Sequence, residues 1–278
     1  MLYNGYNPKK PKGKRGEEMN GMVYQLVRLV SYVKKNQGSD RFLRFPEEKR
    51  EHILFNIAPE PAPKKLCSTE DWYRELQNRR LEKILLYIRA GSNDPMWAGF
   101  VNRGVLGILT VYGTGVMTLW MPDWQFNRRK KIWQLNQGKT RWEITYTEHA
   151  CKQSPDTLPV FRDPTEDFIT VLQYAEPFAR ELHADYFAGR FRQAYEILTG
   201  TGPLAVPDWM KNLAPMLEED RMRMLLAASH ADVFGGMGSW NDVPGGIAQS
   251  MGRSEEYDKV SKALYYQSRM AVMYAINH

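Results

Sequence analysis

The order of apolar and polar residues splits the chain into stretches of two periodicities. From residue 21 to 36, GMVYQLVRLVSYVKKN sets Val23, Leu26, Val27, Val30 and Val33 on one face at helical spacing, which predicts a helix. FPEEKREHILFNIA opens with Pro46 at a first helical position and glutamates in the first turn, and predicts a second helix. The proline-rich APEPAPKK reads as an extended connector. STEDWYRELQNRRLEKILLYIRAG is the clearest predicted helix. Ser68 and Asp71 make a cap-like start, Gly91 a stop, and Trp72, Leu76, Ile84 and Ile88 the buried side.

From Gly104 the period shortens. VLGILTVY, GTG and VMTLWM read as strand, turn and strand. The uncharged run Val105 to Met121 is 17 residues long and is interrupted by Gly-Thr-Gly, whereas a spanning helix needs about 20 unbroken apolar residues. KIWQLNQGKTRWEITYT predicts a second hairpin turning at Gln137-Gly138-Lys139. In its second arm Trp142, Ile144 and Tyr146 alternate with Arg141, Glu143 and Thr145. These strands predict a four-stranded antiparallel meander with one face covered by the preceding helices.

Beyond SPDTLPVFRDP the pattern is helical. Asp163-Pro164 opens TEDFITVLQYAE, which Pro177 is expected to break or kink, and ADYFAGRFRQAYEILTG follows. GPLAVPDW reads as a linker. APMLEEDRMRMLLAASHADVF has an acidic first turn that suits the positive end of a helix dipole, and SEEYDKVSKALYYQSRMAVMYAIN is a long last helix capped near Ser254. The expected class is α+β. Residues 1–20 form a flexible basic tail, 21–160 an α+β domain with an antiparallel sheet, and 161–278 a helical domain.

Composition changes this picture little: 43% hydrophobic and 25% charged residues are ordinary for a globular chain. Eight tryptophans supply packing anchors or a contact surface. Cys67 and Cys151 have no CxxC spacing and no secretory leader before them, so free thiols in a reducing cytoplasm are expected. The net charge is +6, and Lys9, Lys10, Lys12, Lys14 and Arg15 contribute part of it. No membrane association is expected.

The most distinctive stretch is DVFGGMGSWNDVPGG, residues 232–246. It lacks the third glycine of a dinucleotide fingerprint and the Lys-Ser/Thr pair of a phosphate loop, and a helix rather than a strand precedes it. Two uses stay open: an anion nest of Gly235 to Ser239 amides, or a helix stop in which Gly235 and Gly236 turn left-handed and Trp240 plugs the turn. Ser239 sits in no nucleophile elbow. The carboxylate pairs Glu70-Asp71 and Glu218-Glu219 lie in helix first turns, where the dipole explains them. His52, His149, His183, His230 and His278 show no ligand spacing, and Glu148, His149 and Cys151 do not define a zinc site. No catalytic residue, cofactor or metal is therefore assigned. Arg128, Arg129, Lys130 and Lys131, beside Trp124, Phe126 and Trp133, could contact phosphates and stack bases, or form a solvated turn.

FGGMGSWND resembles the signature of a group of small bacterial domains without assigned chemistry, FGGMGS-x-ND between two helices. The likeness covers residues 207–278, including PDWMKNLAPML, SKALY and Asn277, and carries over Phe234, Gly235, Gly236, Met237, Gly238, Ser239, Asn241 and Asp242. Such domains resemble proteins of toxin-immunity and defence loci, which implies binding and neutralising a protein partner. The expectation is a cytoplasmic bacterial interaction protein without catalysis. The alternatives are a nucleic-acid-associated protein, or an enzyme sited at the glycine loop with Asn241 and Asp242 as its polar groups.

Overall fold

A computed structural model describes residues 21–37, 44–45, 51–57, 64–89, 105–126, 142–151, 158, 160–235 and 238–278, and the structural statements below concern these. Helix α1 (Gly21–Asn36) forms where the apolar spacing places it. It is buried almost all round: Leu29 and Tyr32 are inside with the expected valines, and so are Gln25, Arg28 and Ser31. Polar groups taken out of water need partners. Arg28 Nη1 lies 3.2 Å from Glu51 Oε2, and Gln25 Nε2 donates to the same oxygen at 3.1 Å. The Tyr146 hydroxyl donates to Gln25 Oε1 at 2.7 Å.

Two expected helices are corrected. Residues 51–57 of the second one form strand β1 (Glu51–Ile57), followed by the short β2 (Lys64–Leu66). β1 pairs in parallel on one side and antiparallel on the other. Its run Ile53-Leu54-Phe55 is buried without alternation, as in strands covered on both faces, and such a run has no period of its own. The second correction falls on residues 68–91. Helix α2 (Thr69–Asn78) starts as expected, with Ser68 accepting from the Asp71 amide, but it stops ten residues in. Arg80 turns left-handed (φ 58) and the chain continues as β3 (Leu81–Arg89). Trp72, Leu76, Ile84 and Ile88 are all buried. The last two are four apart, a spacing that fits a strand's period of two as well as a helical turn.

Strands β4 (Val105–Tyr112) and β5 (Met117–Phe126) form the expected first hairpin, and β6 is Trp142–Ala150. The sheet has six strands in the order β2-β1-β6-β5-β4-β3 and is mixed, because β1 and β6 run parallel. An antiparallel series of four does occur, but it is β3-β4-β5-β6. β6 pairs with β5 and β1, so the first arm of the expected second hairpin is not its sheet neighbour; that arm and its turn lie outside the described residues. Pro122 is tolerated in β5 because the β4 pairing ends at Trp120. Gly107 is required where these two strands meet, since a Cβ there would lie 2.4 Å from the Trp120 carbonyl oxygen.

The helices after residue 160 are α3 (Thr165–Glu181), α4 (Asp185–Leu198), α5 (Glu219–Ala231), α6 (Val243–Ser250) and α7 (Ser254–Asn277). Pro177 does not end α3, and α6 was not anticipated. One continuous core takes in Val30 of α1, Trp72, Trp120, Leu172, Trp240 and Val272. No described helix is long and apolar enough to cross a membrane.

The sheet's β3 edge meets α7. Asn277 Oδ1 accepts the Leu86 amide at 2.8 Å, and its Nδ2 donates to the Leu86 carbonyl at 2.9 Å. Lys34 of α1 in turn donates to the carbonyls of Ile276 and Asn277, both at 2.8 Å. Asn277→Ala would strand two backbone groups of the buried Leu86. We expect a loss of about 2–4 kcal/mol by denaturant unfolding, against under 1 kcal/mol for Tyr266→Ala on the exposed side of α7.

Candidate functional site

The glycine loop is built on the end of α5. The last carbonyls of that helix have no intrahelical donors, and a side chain from α4 supplies them. Arg190 Nη2 donates to the Ser229 carbonyl at 2.9 Å and its Nε to the His230 carbonyl at 3.1 Å. Asp232, just past the helix, faces Arg269 of α7 through two contacts of 2.9 and 3.0 Å. Both side chains of that pair are nearly inaccessible, at 2% and 8% exposure. The Arg269 guanidinium lies over the Tyr265 ring, and that ring meets Phe234 edge-on at 5.3 Å.

The loop then closes on itself. The Trp240 amide donates to the Val233 carbonyl at 3.0 Å. Asn241 Oδ1 accepts the Gly235 amide at 3.1 Å and lies 2.7 Å from the Ser239 hydroxyl, which is also 3.0 Å from the Gly235 carbonyl. Asp242 Oδ2 accepts the Gly238 amide at 2.7 Å. Gly238 carries the left-handed backbone, with φ 83. Gly235 does not, contrary to expectation, and Gly236 and Met237 lie outside the described residues.

Trp240 plugs the turn, as one of the two open uses required. It is fully buried, with Phe187 and Phe191 of α4 edge-on to it at 5.5 and 5.3 Å and Tyr257 of α7 stacked at 5.4 Å. Its indole N–H donates to Ser261 Oγ at 2.7 Å, and its carbonyl accepts the Tyr257 hydroxyl at 2.7 Å. Burying such a ring stabilises by several kcal/mol. Ser239, Asn241 and Asp242 are thus each hydrogen-bonded within the loop, with Asp242 exposed and the other two half-buried.

The other candidates separate. Glu148 and His149 occupy successive β6 positions, and a strand sends these to opposite faces. Glu148 is buried against Arg79, with 2.7 Å between Nη1 and Oε1, while His149 is exposed. Among the described residues no three His, Cys, Asp or Glu side chains could hold a metal. Arg128, Arg129, Lys130 and Lys131 lie outside the described residues. Sequence spacing missed Arg190 of α4, Asp232 just past α5 and Arg269 of α7, which frame the loop. Their partners are 37 to 40 residues away, and no local pattern marks them. Compared with protein-family models, curated proteins and solved structures, the chain matches none.

Two outcomes follow for the loop. Gly238→Ala and Asp242→Ala should each lower stability by about 1 kcal/mol, the first through left-handed strain and the second through loss of the hydrogen bond to the Gly238 amide; thermal melts measure both. His230 gives a pH dependence. Burial, with Arg190 adding to it, draws the imidazole from its ordinary 6.5 down to about 4. The unfolded chain therefore binds the proton first, and stability contributed by the neutral ring is complete above pH 6.5 and lost as pH falls towards 4. Wild-type protein should lose stability across that window more steeply than His230→Gln.

Proposed function

We propose that this chain is a non-catalytic interaction protein of the immunity or defence kind, acting in the cytoplasm by binding and occluding a protein partner. The observation that carries this is the inward hydrogen bonding of the glycine loop. Ser239, Asn241 and Asp242 satisfy the loop's own backbone, and Trp240 is spent as a core plug. A site built for chemistry keeps polar groups directed at a reacting atom, whereas a rigid, self-satisfied turn serves to hold a surface in place. Unbonded Cys67 and Cys151 suit a reducing compartment.

Stoichiometry tests the proposal. The full chain is co-expressed with each growth-inhibiting protein encoded beside it, at graded ratios, and growth is scored. Occlusion requires at least one copy per partner, so rescue should vanish when the chain falls below equimolar, and a discrete complex should elute in gel filtration. Full rescue at about one copy per ten partners would indicate turnover and overturn the proposal.

A further inference from the structure

No further inference is drawn: the strongest candidate, the second apolar cluster of the sheet, where Leu109 and Val111 of β4 meet Met117 of β5 and exposed Met121 shares the face of Met117, carries nothing, because nothing in the structure shows what partner would cover it.

Discussion

A sheet edge covered by a helix must find partners for its outer amides and carbonyls, and β3 is such an edge. The solution is a side chain at the far end of the chain. Asn277 presents an amide to Leu86 in the manner of a neighbouring strand, one acceptor and one donor, 191 residues away in sequence. Once that pair forms, α7 has to lie along the sheet edge, and Met273 comes close to the Ile88 amide one turn earlier. Lys34 then ties the end of α7 to α1, which leaves α1 wrapped on nearly every side. The opposite edge is managed differently. β2 is only three residues long and carries Lys64 and Lys65 outward, which discourages pairing with another chain.

Arginines, three of them buried and Arg79 half-buried, recur at the joints between elements. Arg28 links α1 to β1, Arg79 links the end of α2 to β6, Arg190 links α4 to α5, and Arg269 links α7 to the loop. A guanidinium offers five donors in a rigid plane, so each such joint has one good geometry and many costly ones. Pairs of this kind add little net stability over an apolar core, but removing one partner is expensive. Arg28 and Arg79 thereby tie helices to the sheet, and Arg190 and Arg269 tie helices to one another and to the loop.

The glycine loop bonds its polar groups to its own backbone and buries its tryptophan. What it joins is α4 to α7, through the rings of Phe187, Phe191 and Tyr257 around Trp240.

Much of this was legible in the order of residues. α1 follows from Val23, Leu26, Val27, Val30 and Val33, and the β4–β5 hairpin from the two apolar runs around Gly-Thr-Gly, whereas α5 stops at Ala231, before the glycines expected to end it. Two elements were misread for a physical reason. Ile84 and Ile88 satisfy helix and strand spacing equally, and Ile53-Leu54-Phe55 has no period because all three side chains are buried. In each case the environment chose between conformations that local spacing leaves degenerate. The roles of Asn241 and Asp242 depended on where Gly235 and Gly238 turned. The pairs Asp232–Arg269 and Leu86–Asn277 depended on elements meeting across tens to hundreds of residues. Sequence by itself determined local periodicity and turns, because these arise between near neighbours. Sheet order, the parallel pairing of β1 and the burial of the loop were decided only in the tertiary structure, where distant groups removed from water had to satisfy one another.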